Sequence, residues 1–406
     1  MMKRILLAST FLLALTFAQG PALAEDSVGP EVGKPLQAAQ ALIKSGQFRE
    51  ALAKLHEADN VSGKSAYETS VIEQLRAIAA VNGGEPAVAA KAVEALLASG
   101  KTSPADGLKL TQAVAGAYYK AKDYPNAILW VNRTLKEGGT DPQSRILLAQ
   151  SYYLSEDYTN SAREFAEQVK AGEKTGQTPS ESQYQLLANS YVKLGDTAAY
   201  TETLEKLLAA YPKESYWAEL IQRVGAKKGF ADRLEIDLQR LRLATNGFSA
   251  ASDYVELAQL ALQAGLPGEA QSVIAKGYSA GLLGNGAEAE RHKRLKDLAD
   301  KTAADDQKGL AAATTEAAKG KDGAGLVNTG LDYVGYGRAA EGLPLIEQGI
   351  AKGGLKHPED AQLHLGLAAL AAGQKDKALT AFKAAQQAPE TQDIAKLWAI
   401  KAAQKG

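Results

Sequence analysis

Lys122-Asp123-Tyr124-Pro125-Asn126-Ala127 closes one apolar helical stretch and opens another. Before it, Leu110, Val114 and Tyr118 recur every fourth residue; after it come Ile128, Val131 and Leu135. That is the periodicity of two amphipathic helices. Pro125 suits the first turn of the second helix, where its missing N–H costs nothing. The punctuation returns at Gly46-Gln47-Phe48-Arg49-Glu50-Ala51, Glu156-Asp157-Tyr158-Thr159-Asn160-Ser161 and Gly373-Gln374-Lys375-Asp376-Lys377-Ala378, with equivalent turns near Gly84, Gly195, Lys228, Gly265 and Gly337. Successive turns lie 33 to 39 residues apart, except for one step of 72. Two steps of 36 would place a degenerate unit around residues 287–320, giving about ten hairpins. A single hairpin cannot bury both apolar faces, so the units must stack. The expected class is all-α, an α-solenoid.

The repeats resemble the tetratricopeptide-repeat (TPR) family. The residues that carry the likeness are Leu148, Ala149, Tyr152, Tyr158 and Phe165; then Leu187, Ala188, Tyr191, Leu204 and Pro212; and late in the chain Leu365, Gly366, Ala378, Phe382 and Ala385. Small residues let the two helices of a unit approach, and large ones fill the gaps between units. The last two units, from Tyr336 through Ala403, resemble the C-terminal part of an uncharacterised group of exported proteobacterial TPR proteins. The likeness is weakest from Ala287 to Lys319, where Arg291-His292-Lys293-Arg294 and Asp305-Asp306 place charges at positions that should be apolar.

The N-terminus carries a different signal. Lys3 and Arg4 precede an apolar stretch from Ile5 to Phe17, followed by Pro21 and Ala22-Leu23-Ala24. This reads as a cleaved secretory signal peptide over 1–24; the 13 apolar residues fall short of the roughly 20 that span a bilayer. A periplasmic protein is expected. The chain has no cysteine, so disulfides, thiolate metal sites and a lipid-modified N-terminal Cys are excluded. With 46 basic and 47 acidic side chains, there is no basic excess of the kind that nucleic-acid binding uses. The predicted organisation continues with a flexible arm over 25–34, about seven hairpins over 35–286, the degenerate charged hairpin over 287–320, two hairpins over 321–389, and a capping helix over 390–406 bearing Ile394, Leu397, Trp398 and Ile400.

Catalytic and metal motifs are sparse. Gly277-Tyr278-Ser279-Ala280-Gly281 matches G-x-S-x-G, but it follows a helical stretch rather than a strand. Seventy-two residues later Ile346 to Leu355 repeats the skeleton of Ile274 to Leu283, with Ala351 in place of Ser279. The glycines therefore read as packing and C-cap devices. None of His56, His292, His357 and His364 belongs to an HExxH motif or an i, i+4 pair. Gly281-Leu282-Leu283-Gly284-Asn285-Gly286 lacks the preceding strand and following Lys-Ser/Thr of a phosphate loop. Neither cofactor nor metal is expected.

The TPR resemblance implies that the first helix of each unit lines a concave face. By register that face carries Lys109, Gln112, Gly116, Tyr119 and Lys120 in the third unit; Gln143, Ile146, Gln150 and Tyr153 in the fourth; and Gln185, Asn189, Val192 and Lys193 in the fifth. Asn189 is similar to the asparagine of the peptide-carboxylate clamps in some members. Amides can pair with an extended peptide backbone, and tyrosines offer apolar contact with a polar tip. The leading expectation is a non-catalytic scaffold for a protein or peptide of the cell envelope. The alternative is a carrier of a glycan or other small ligand, which would need a deep cleft with clustered aromatics. In the late units the same register gives Val327, Leu331 and Val334, then Leu363, Leu367 and Leu370. An apolar face should not stand open to water. It must be covered by tight curling of the units or by self-association.

Overall fold

The computed structural model describes residues 27–404. The signal-peptide reading therefore lies outside the described residues. Twenty α-helices and no strand are found among the described residues, and the fold is an all-α, TPR-like solenoid. No helix there is long and apolar enough to cross a membrane. The helices are α1 (Pro30–Lys44), α2 (Phe48–Asp59), α3 (Ala66–Gly83), α4 (Pro86–Ala98), α5 (Pro104–Lys120), α6 (Tyr124–Lys136), α7 (Pro142–Leu154), α8 (Tyr158–Thr175), α9 (Glu181–Leu194), α10 (Thr197–Ala210), α11 (Glu214–Gly225), α12 (Glu235–Ala244), α13 (Ala251–Gln263), α14 (Pro267–Ser279), α15 (Ala289–Lys319), α16 (Ala324–Gly335), α17 (Ala339–Lys352), α18 (Pro358–Ala371), α19 (Lys375–Ala385) and α20 (Gln392–Ala403).

The turns follow one local device. Gly46, Gly84, Lys122, Glu156, Gly195, Gly265, Gly337 and Gly373 all have φ between 62° and 76°, the left-handed conformation that reverses a chain after a helix. The next residue often caps the following helix. Asp123 accepts from the Asn126 N–H (3.2 Å), Asp157 from Asn160 (3.1 Å) and Asp196 from Ala199 (3.0 Å). Each satisfies an otherwise orphaned donor.

The helices fall into two compact units, through Glu167 and from Gln168. In the first, each hairpin packs on the next, and the first helices also touch along a row: α1 on α3, α3 on α5, α5 on α7. Ala39, Leu55, Ile72 and Leu75 fill one part of its core; Val93, Val114, Trp130, Val131 and Leu148 fill another. The flexible arm expected over 25–34 is corrected at its end. Pro30 opens α1, Val32 is buried, and the Gly29 N–H donates to Glu68 Oε1 at 2.9 Å. Proline at N1 starts a helix as readily as it breaks one.

The second unit contains the larger correction. The degenerate hairpin is instead one helix, α15, of 31 residues. Gly309 lies within it, where an added Cβ would meet nothing, so it brings only the ~1 kcal/mol propensity penalty. Alanine runs flank it, and Lys296–Asp300, Lys308–Asp305 and Lys319–Glu316 pair along the solvent side. A stripe of His292, Ala299, Ala303 and Leu310 is buried.

Glycines set the closest approaches. A Cβ on Gly342 would lie 2.2 Å from the Gly330 carbonyl oxygen, and one on Gly349 2.6 Å from that of Gly323, so α16 and α17 touch backbone to backbone. Gly366 faces the Phe382 ring, which stacks on Trp398 at 6.2 Å.

This unit also meets itself at long range. α20 packs on α19 and also on α10, α11 and α12. Lys227 bonds Asp393 at 2.5 Å, and Arg233 bonds Asp360 at 2.7 Å. Val327, Leu331 and Leu363 are buried, and Val334, Leu367 and Leu370 half-buried. Within one chain, the late apolar face is thus largely withdrawn from water.

Candidate partner-binding face

In the first unit, solvent-facing side chains of α5 and α7 form a polar ladder. Gln112 Nε2 donates to Ser144 Oγ (2.9 Å) and Asp141 Oδ2 (3.3 Å). Tyr119 Oη donates to Gln150 Oε1 (3.3 Å). Tyr119 meets the Tyr124 ring edge to face at 5.8 Å, and Tyr153 meets Tyr158 in the same way at 5.5 Å. These contacts fix the rings while leaving both tyrosines partly exposed. Burial, with Tyr124 nearby, raises the Tyr119 pKa, so its hydroxyl remains a donor. Lys109 pairs with Asp106 at 3.0 Å and is exposed. The ladder thus joins Gln112 to the start of α7 and Tyr119 to Gln150, while Tyr153 and Lys109 make separate contacts with Tyr158 and Asp106.

In the second unit, Gln185 Nε2 donates to Tyr216 Oη (2.8 Å) and Glu181 Oε1 (3.3 Å). Lys213 reaches the same carboxylate at 2.5 Å, and Tyr216 donates to it as well. Hydrogen bonds from Lys213 and Tyr216 hold the Glu181 carboxyl below its usual range. Asn189 and Lys193 are exposed, and Val192 is 54% exposed. The register singled out Gln185 but not Tyr216, Lys213 or Glu181, because their link runs between α9 and α11.

The second unit also buries charge. Asp237, 1% exposed, lies between Arg240 Nη1 (2.6 Å) and His364 Nε2 (3.2 Å). Burial alone would raise its pKa, but His364 and Arg240 override it and hold it at about 2. Arg240 grips Glu269 with two bonds, at 2.7 and 2.5 Å. Asp332 Oδ1 is buried without a hydrogen-bond partner; burial, with Asp306 and Glu269 nearby, pushes this carboxyl up to about 7.

Ser279 is exposed on the last turn of α14, not on a strand-to-helix elbow. A Cβ on Gly277 would strike Leu283 and Tyr254, which identifies that glycine as a packing residue. A cleft of about 460 Å³ lies between α11 and α12, and Trp217 is the single aromatic among its lining residues. That is not the aromatic cluster a sugar-binding cleft would use. One group of metal-capable side chains converges among the described residues: His357, Glu359 and Glu390.

The tetratricopeptide repeat family matches residues 75–144 and 327–392. No curated protein matches the chain significantly. Among solved structures, the chain is similar to one titled Naa15/Naa10 bound to HypK-THB, at 17% identity and a TM-score of 0.34, covering 88% of this chain and 58% of that one. It is similar to yeast Tom70 at 13% identity and a TM-score of 0.20, covering 91% and 95%. It is also similar to the APC/C hetero-tetramer Cut9-Hcn1 at 12% identity and a TM-score of 0.26, covering 78% and 66%. The chain thus spans little more than half the length of the first of these. Residues 75–144 and 327–392 match the tetratricopeptide repeat family, and they lie within an all-α solenoid.

Proposed function

We propose that the chain is a periplasmic, non-catalytic scaffold that binds an extended protein or peptide segment along α5 and α7. One observation carries this reading: the ladder is preformed yet only half used. The bonds described occupy an amide donor of Gln112 and the amide acceptor of Gln150. Gln112 Oε1 is left to accept and Gln150 Nε2 to donate, the two functions that pair with a peptide backbone. Tyr119 and Tyr153 flank them with rings already held in place, so little ordering entropy opposes binding. Export rests on the Lys3-Arg4 and Ala22-Leu23-Ala24 pattern. The proposal needs no cofactor.

Photo-crosslinking in cells from Tyr119, Tyr153 and Asn189, with Leu129 on α6 as an exposed control, tests the reading. A protein captured from Tyr119 and Tyr153, and lost when Gln150→Ala is added, supports it. Background capture from all three positions overturns it.

A further inference from the structure

We propose that His357, Glu359 and Glu390 form a binding site for a divalent transition-metal ion that fastens the start of α18 to the turn between α19 and α20. The ligating atoms of the three side chains lie within 4.8 Å of one another. His357 Nδ1 and Glu359 Oε1 are 3.2 Å apart. Two ligands of a tetrahedral ion with bonds of about 2.1 Å lie roughly 3.4 Å apart. That pair is thus already spaced to share one ion. Glu390, 52% exposed at its side chain, can close the third position by rotation, leaving the fourth to water.

Charge supports the same site. Glu359, Asp360 and Glu390 crowd around one guanidinium, Arg233. Arg233 has a matched partner in Asp360, with Nε to Oδ2 at 2.7 Å and Nη2 to Oδ1 at 3.2 Å. This forked pairing is the geometry guanidinium favours. It remains intact if Glu359 and Glu390 turn to a metal. Three carboxylates against one guanidinium leave a formal surplus of two negative charges, which a dication cancels. The positive end of the α18 dipole works against a cation there, but it is outweighed by two full charges. One imidazole and two carboxylates suit Zn2+ or a neighbour in its series; Mg2+ and Ca2+ prefer oxygen alone. The motif is invisible to spacing rules because Glu390 lies far from His357 in sequence.

Zn2+ titration of the full chain by calorimetry, paired with thermal unfolding, tests the proposal. Binding of one equivalent, a rise in Tm reversed by EDTA and no response to equimolar Mg2+ are expected. His357→Ala and Glu390→Gln should each weaken binding at least tenfold, and His357→Gln guards against a folding defect at the helix start. Absence of saturable binding overturns the site. So does binding that survives both His357→Ala and Glu390→Gln, since zinc would then sit elsewhere, for instance at exposed His56 beside Asp59.

Discussion

The early hairpins of the first unit and the late hairpins of the second treat their first-helix faces in opposite ways. In residues 27–167 the face around α5 and α7 is polar and partly exposed, and its side chains bond to one another along the surface. In residues 168–404 the late faces are apolar and largely buried, and α20 packs on α19 and also reaches back to α10, α11 and α12. In a repeat array, the polarity of one helical register decides whether a surface stays available or is consumed within the chain. The hydrophobic effect requires contiguous apolar area to be covered. Amide and hydroxyl groups carry no such requirement.

Four changes can break or sharpen this contrast. Trp130 reports on the first unit, and Trp217 and Trp398 on the second. The largest effect is expected from Arg240→Met, which removes the cation serving both Asp237 and Glu269. Stranding buried carboxylates costs about 3–5 kcal/mol. Urea unfolding should show the Trp217 and Trp398 signals shifting while that of Trp130 holds; a uniform shift of all three would deny the units their independence. Gly342→Val should follow. Its side chain must enter space held by the Gly330 backbone, at a cost of about 2–3 kcal/mol, again confined to the second unit.

Asp332→Asn should act in the opposite direction. In the folded chain the Asp332 carboxyl titrates at about 7, well above the 3.8 of an ordinary aspartate. The native state therefore holds a proton that the unfolded chain has released, and stability falls as pH rises from about 4 to 7. The amide removes that slope. With the site partly open to solvent, a gain of about 1 kcal/mol is expected at pH 8 and little at pH 4; denaturation at both values gives the measurement. The smallest effect belongs to the first unit. Lys122 and Glu156 have φ of 62° and 64° without being glycine. Glu156→Gly should stabilise by about 0.5–1 kcal/mol, read as a rise in the urea midpoint of the Trp130 signal alone.

How much could be read from sequence follows from the range of each interaction. The left-handed residue at each turn, and the Asp caps after Lys122, Glu156 and Gly195, act within four residues, so the turns are legible as punctuation from Gly46 to Gly373. Gln112, Tyr119, Gln150 and Tyr153 are assigned to one face by helical register together with the TPR resemblance, and the bonds from Gln112 and Tyr119 to α7 and its cap are local enough to follow from that register. The repeat step of 36 predicts a turn inside α15, but no left-handed residue breaks the chain between Ala289 and Lys319, and the helix runs on. Arg233–Asp360 and Asp237–His364 each join residues 127 positions apart. Periodicity requires the late apolar face to be covered, but only the curvature summed over many hairpins says by what.

The docking of α20 has a kinetic consequence. Stacked hairpins ordinarily fold by growth from neighbour to neighbour, with contacts short in sequence and fast to form. Lys227 and Asp393 are 166 residues apart, so this union cannot form until the hairpins between them are in place. The second unit should therefore complete folding through a distinct late step, slowed by the entropy of closing a long loop. A chain ending before α20 would lose that step and the protection it gives against unfolding.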